Sequence, residues 1–221
     1  MSPEILKVIW AATGDSLIMV GVSILFGTIL GLPLGIFLAT SRRGELLAAP
    51  KVNAVLGAIV NAVRSVPFII LIVAIIPFTR LLVGSSIGLK GVIVPLTIAV
   101  APFIARIVES AIREVDAGLI EAARSFGATP FQIIRKVLFP EALPGLVLGL
   151  TLTTVSLIGY SAMAGVVGGG GLGDVAIRYG YQRFMPEVMG AVVVILILLV
   201  QGVQSAGDLA ARKLNKRVRQ D

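Results

Sequence analysis

Long apolar runs alternate along the chain with short charged interruptions. Three runs carry no charge at all: residues 16–41, 142–173 and 188–207. A bilayer-spanning helix takes about 20 mostly apolar residues. Each run therefore accommodates one span, and the second run needs only its first part. Two further apolar runs hold charge towards one end, Arg64 in 53–79 and Arg106 with Glu109 in 91–112. The pattern predicts an all-α membrane protein with five spans, at approximately 16–40, 53–79, 91–112, 143–163 and 188–208, in one domain over 1–221. No sixth span is expected in 164–186, where a run of glycines from Gly168 to Gly171 is followed by Asp174, Arg178 and Arg183.

Composition agrees with lipid as the solvent. Of 221 residues, 57% are hydrophobic and 14% charged, whereas soluble domains are roughly 45–50% apolar and about 25% charged. There is no Cys and no His. Disulfide scaffolds, thiol catalysis, Cys/His metal sites and histidine relays are thereby excluded. The first apolar run is too long for a cleaved signal peptide, whose apolar region spans about 7–15 residues. Positive charge sets the orientation, because Lys and Arg collect on the cytoplasmic side. With the N-terminus outside, the cytoplasmic pieces hold Arg42, Arg43, Lys51, Arg113, Arg124, Arg135, Lys136, Arg212, Lys213, Lys216, Arg217 and Arg219. The outer pieces hold only Lys7, Arg80, Lys90, Arg178 and Arg183. An N-out, C-in topology follows, in a multi-pass membrane protein. The basic tail suits either anionic lipid head groups or a solvated flank, and the net charge of +7 needs no nucleic acid.

Small residues mark the packing faces. Gly27, Gly31 and Gly35 share one face of the first span, and Gly145, Gly149 and Thr153 one face of the fourth. Such faces let a neighbouring backbone approach closely. Pro33, Pro67, Pro77, Pro95 and Pro102 interrupt spans, which is tolerated where neighbours satisfy the freed carbonyls. Arg106 and Glu109 lie one helical turn apart and can pair. With Arg64 at similar depth they form a candidate intramembrane ion cluster, structural or substrate-related.

Residues 113–141 are different in kind. Arg113, Arg124, Arg135 and Lys136 balance Glu114, Asp116, Glu121 and Glu141. Asp116 can cap a helix running to Phe126, and Gly127 can stop it. Thr129 can cap a second helix, with Pro130 at its first position and Gln132 closing a capping box; Pro140 is expected to end it. The apolar Leu119, Ile120, Ala123, Phe131, Ile134, Val137 and Leu138 need burial, on lipid or against a soluble partner.

In this segment Glu121-Ala122-Ala123, Gly127 and Val137-Leu138-Phe139-Pro140 resemble the EAA loop of ABC importer permeases, with Val137 and Phe139 replacing its Ile and Leu. Further stretches are similar to methionine importer permeases: Arg64-Ser65-Val66-Pro67-Phe68, Pro77-Phe78-Thr79-Arg80, residues 101–106, Gly159-Tyr160-Ser161-Ala162-Met163 and Gly170-Gly171-Leu172-Gly173. The resemblance implies type I importer permease architecture and a place in the bacterial cytoplasmic (inner) membrane. It implies a non-catalytic homodimer lining a pathway for L- and D-methionine and derivatives, two ATP-binding subunits, and an extracytoplasmic substrate-binding lipoprotein. Glu121, Ala122, Ala123, Gly127, Thr129, Pro130 and Pro140 would then seat in a groove of the ATPase, which would hold ATP and Mg.

No Gly-x-x-x-x-Gly-Lys-Ser/Thr run occurs, so no cofactor is expected on this chain. Residues 168–173 formally match Gly-x-Gly-x-x-Gly, but they follow a span instead of a Rossmann strand and are expected as an external hinge loop. Met163, bulky among small residues, is the candidate gate. Two alternatives remain open: a permease for another amino acid or small solute of the same class, and a secondary transporter that needs no ATPase.

Overall fold

The computed structural model describes residues 2–214; Lys216, Arg217 and Arg219 of the basic tail lie outside the described residues. All regular structure among them is helical. Helix α1 spans Pro3–Thr40, α2 Pro50–Ser65, α3 Phe68–Ala74, α4 Ile76–Val83 and α5 Gly88–Arg113. Then follow α6 (Ala117–Ser125), α7 (Pro130–Ile133), α8 (Phe139–Val166), α9 (Gly171–Val175) and α10 (Pro186–Leu214). Four helical stretches are long and apolar enough to cross a membrane: α1, α5, the continuous run Pro130–Val166, and α10. A fifth crossing exists if α2 and α3, bent by 105° at their junction, count as one broken span.

That bend has a local cause. Pro67 pushes the residue before it away from the α region, and Val66 sits at φ −84°, ψ 124°. Pro67 also has no N–H to continue the ladder. The stretch 53–79, expected as one span, is therefore divided among α2, α3 and the start of α4.

Helix α1 is longer than its charge-free run. Its 38 residues extend about 57 Å at 1.5 Å per residue, well beyond a hydrocarbon core of about 30 Å. The mixed-charge leader joins the helix because it carries its own apolar stripe. Ile5, Val8, Ile9 and Ala12 recur at helical spacing and pack with Leu172, Val175, Val188 and Val192 in a second, smaller core.

Helix α5 is the centre of the bundle. Of the most apolar stretch of each helix, 72% is buried in α5, against 28% in α1 and 11% in α10. Helix α1 reaches it through its glycine face. A Cβ placed on Gly31 would stand 2.6 Å from the Ala101 carbonyl oxygen and 2.8 Å from Ile104 Cβ. Gly27 meets Val100 and Ile104, and Gly35 meets Ala105 and Val108. The small face of α8 meets the same helix, Gly149 against Ile107 and Gly145 near Ala111.

Beyond α8 the glycine run is a packed turn. Gly168, Gly170 and Gly171 have φ of +78°, +81° and +71°, conformations open chiefly to glycine. The Gly168 carbonyl accepts from Gly88 N at 3.0 Å, and Leu172 N donates to Ser16 Oγ at 2.9 Å. Leu172 is fully buried. The segment expected as an external hinge is thus pinned to α1 and to the start of α5.

The glycine face yields a stability prediction. Gly31→Leu should destabilise the detergent-solubilised protein by about 2 kcal/mol or more, because overpacking against backbone has no soft neighbour to move. Gly14→Ala, in the same helix with nothing within 4 Å, should be neutral or slightly stabilising. Thermal unfolding midpoints of both variants check this; equal midpoints would refute the packing account.

Candidate functional site

The polar segment between α5 and α8 folds as a helix pair whose ends are closed by the residues that the sequence supplies for it. Asp116 Oδ1 accepts from Gly118 N at 2.7 Å and caps α6. At the other end Gly127 takes φ +74°. Ala128 N donates to Ala123 O at 3.1 Å, and Gly127 N donates to Arg124 O at 2.9 Å. These two bonds are the Schellman pattern, which satisfies the last carbonyls of a helix. Helix α7 opens with a reciprocal capping box: Thr129 Oγ1 accepts from Gln132 N at 3.3 Å, and Gln132 Oε1 accepts from Thr129 N at 2.9 Å. Pro130 stands in the first turn.

Pro140 does not end this second helix. Residues Ile134–Leu138 form a π-helical segment, and Phe139 N bonds to Ile134 O. The wider turn lies just ahead of Pro140, whose ring and missing N–H would otherwise break an α-helical ladder. The helix passes directly into α8, so the pair is continuous with a spanning helix.

Burial divides the pair into two faces. Ile120, Ala123, Ile134 and Val137 pack against the main core, joined by the buried Ile133 and Leu138. On the other side Phe126 is 89% and Phe131 68% exposed. Glu121, Ala122, Thr129 and Pro130 are exposed with them, as is Pro140 at the entry to α8. Glu121 and Arg124 also border a cleft of about 330 Å³ shared with Arg43, Glu45 and Arg113. Two exposed aromatics on a helix pair that also borders a charged cleft make a surface suited to a protein groove.

A charge cluster lies where α5 leads into this pair. Glu109 is 4% exposed and is shared by three arginines. Arg106 pairs with it closely, Arg42 Nη2 lies at 3.0 Å, and Arg113 Nε at 3.6 Å. Arg106 Nη2 also donates to Gly57 O at 3.0 Å and to Asn61 Oδ1 at 2.9 Å. The cluster thus ties the turn after α1 and α2 to α5, the first through Arg42 and the second through Arg106, and a buried carboxylate needs such partners. Arg64 is not among its partners; its guanidinium lies over the Phe103 ring, 4.9 Å from the centroid. Arg113 stands at i+4 from Glu109 and was visible by spacing. Arg42 was not, because its approach depends on the turn after α1. Met163, 48% exposed, points away from the core of the protomer while Ala164 and Gly165 beside it are buried. Among the described residues no three Asp or Glu side chains gather as metal ligands would.

Known proteins resemble this arrangement over nearly its whole length. A family model for the binding-protein-dependent transport system inner membrane component matches residues 31–220. The probable D-methionine transport system permease protein MetI of Vibrio cholerae is 55% identical over 206 residues, covering 93% of this chain and 92% of that protein. The D-methionine transport system permease protein MetI of Escherichia coli K12 is 53% identical over 165 residues, covering 75% and 76%. A solved inward-facing conformation of the MetNI methionine ABC transporter superposes with a TM-score of 0.96 at 50% identity, covering 98% of this chain and 100% of that one. An amino acid ABC transporter solved with histidines, 19% identical with a TM-score of 0.72 over 96% and 94% of the two chains, shares the fold. The chain therefore belongs to the family of inner-membrane components of binding-protein-dependent transport systems.

Proposed function

We propose that this chain is the permease subunit of an ATP-driven methionine importer, taking up L- and D-methionine. Two copies line the pathway, two ATP-binding subunits drive it, and an extracytoplasmic substrate-binding lipoprotein delivers the substrate. ATP and Mg belong to the ATPase, and this chain catalyses no reaction. The observation that carries the mechanism is the capped helix pair running without a break into α8, with Phe126 and Phe131 turned outward. The choice of methionine rests on the likeness to methionine transport permeases over nearly the whole chain.

The helix pair faces the cytoplasm in an N-out, C-in topology, which the distribution of Lys and Arg favours. Phe126 and Phe131 fill a groove of the ATPase, and Glu121 accepts hydrogen bonds at its rim. When nucleotide closes the two ATPases, the groove carries the pair with it. Displacement reaches α8 through the π segment and α5 through residues 114–116. Differential affinity of nucleotide for the two arrangements shifts the population between faces. Met163 from each copy meets near the axis and closes the path in one of them.

Two outcomes follow for the assembly reconstituted in proteoliposomes. Gly127→Val places a β-branched residue at φ +74°, where such residues are outliers, and Glu121→Lys reverses a charge at the docking rim. Each should weaken ATPase association about tenfold or more and abolish ATP-dependent uptake of radiolabelled methionine, while the chain still inserts. Normal uptake by both variants would defeat the docking role. Met163→Ala should raise ATP hydrolysis uncoupled from uptake and increase leak of methionine; unchanged hydrolysis and leak would remove the gate assignment.

A further inference from the structure

Arg64 is an intramembrane cation placed differently from the others. It stands at the last turn of α2, immediately before the 105° bend. Phe103, the ring beneath it, lies ten residues of α5 from Arg113, about 15 Å along the helix. Arg42, Arg106 and Arg113 share Glu109, and Arg178 has Asp174. Among the described residues Arg64 forms no ion pair. A ring face compensates a guanidinium only in part, and the exposed Arg64 side chain has room for an anionic partner, as ionisable groups within membrane spans mark substrate pathways.

The space beside it has two chambers. One, about 190 Å³, is lined by Arg64, Ser65, Phe68, Phe103 and Tyr160. The other, about 200 Å³, is lined by Val100, Ile107, Leu152 and again Phe103 and Tyr160. The first is cationic and the second almost wholly apolar. Tyr160 is held in place by stacking on Phe68, with centroids 4.9 Å apart and planes at 12°. Ser65 Oγ donates to Asn61 O at 2.8 Å, which leaves its lone pairs open to a donor.

We propose that these adjoining chambers are a transit subsite for an α-amino acid with a long, unbranched apolar side chain. The substrate carboxylate pairs with Arg64, its ammonium donates to Ser65 Oγ, and its side chain enters the chamber of Val100, Ile107 and Leu152. A thioether is well matched to that passage, since sulfur makes favourable contacts with aromatic edges and Phe103 and Tyr160 border both chambers. The subsite is open and has one strong polar group, so occupancy is brief. A pathway requires binding favourable enough for entry and weak enough for release. The subsite rests on the methionine transport role proposed above.

The test uses the whole assembly, this chain with its ATPase and binding protein in proteoliposomes, and the permease–ATPase complex alone in nanodiscs. Radiolabelled methionine is the probe, and unlabelled methionine and its carboxamide are the competitors. Arg64→Gln should bind methionine about tenfold more weakly, the scale of one lost charge-assisted hydrogen bond, while the weaker binding of the carboxamide stays unchanged. Ser156→Phe fills the apolar chamber from an exposed position on its wall and should lower methionine uptake about tenfold through lost volume. Equal weakening of acid and amide by Arg64→Gln would overturn the carboxylate contact. Wild-type binding and uptake in both variants would overturn the subsite and leave the transport role standing. Absence of methionine uptake by the wild-type assembly would instead defeat the transport role, and the subsite with it.

Discussion

The close approach of α1 to α5 is the contact on which the rest of the molecule depends. In hydrocarbon, helices gain little by hiding apolar side chains from lipid that is equally apolar. What remains is dispersion, which falls away quickly with distance. Gly27, Gly31 and Gly35 bring the backbone of α1 onto that of α5, where any side chain would collide with Ala101, Ile104 or Val108. Once α5 is fixed along that face, α8 takes another through Gly149 and Ile107, and α2 lies along a third through Arg106 and Arg64.

Polar chemistry follows the same helix. A buried carboxylate is costly unless its charge and lone pairs are met, and Glu109 meets this cost by drawing in Arg42, Arg106 and Arg113. Arg42 comes from the turn after α1, and Arg106, besides meeting Glu109, donates to Gly57 O and Asn61 Oδ1 of α2, so the cluster fastens the end of α1 and the body of α2 to α5. The exit from α5 into the helix pair begins one turn later. The proposed docking surface therefore stands next to a fastened part of the bundle.

Local signals were the legible ones. Charge-free runs located the apolar helices, and the small-residue spacing on α1 and α8 named faces that do pack on α5. Asp116, Gly127, Thr129 and Gln132 announced caps that the helix pair makes in full, because a cap is decided within about four residues. Features set by distant contacts were hidden. The leader joins α1 only because α9 and α10 offer its stripe a surface. Arg64 was expected to join the Arg106–Glu109 pair, which spacing announced, yet it lies over an aromatic ring instead. Pro67 and Pro140 show how far context decides: the first breaks its helix by 105°, while the second is absorbed by a π turn.

The second of these prolines bears on how α8 can move. At one end the π segment keeps α8 continuous with the helix pair, so that end follows whatever the pair follows. At the other end Gly165 and Gly173 bring the turn into backbone contact with α8, a Cβ on either meeting Asp174 or Ala162. Ser16 and Gly88 then anchor the same turn to α1 and α5. Under the proposed coupling, a stiff rod driven at one end and pinned at the other would move most easily by a tilt about the pin. Met163 lies within three residues of Val166, where α8 ends, so it is close to the pin and moves little sideways when α8 tilts. The gate proposed at that position would open by small rotation and side-chain rearrangement, for which a flexible, unbranched residue is better suited than a rigid one.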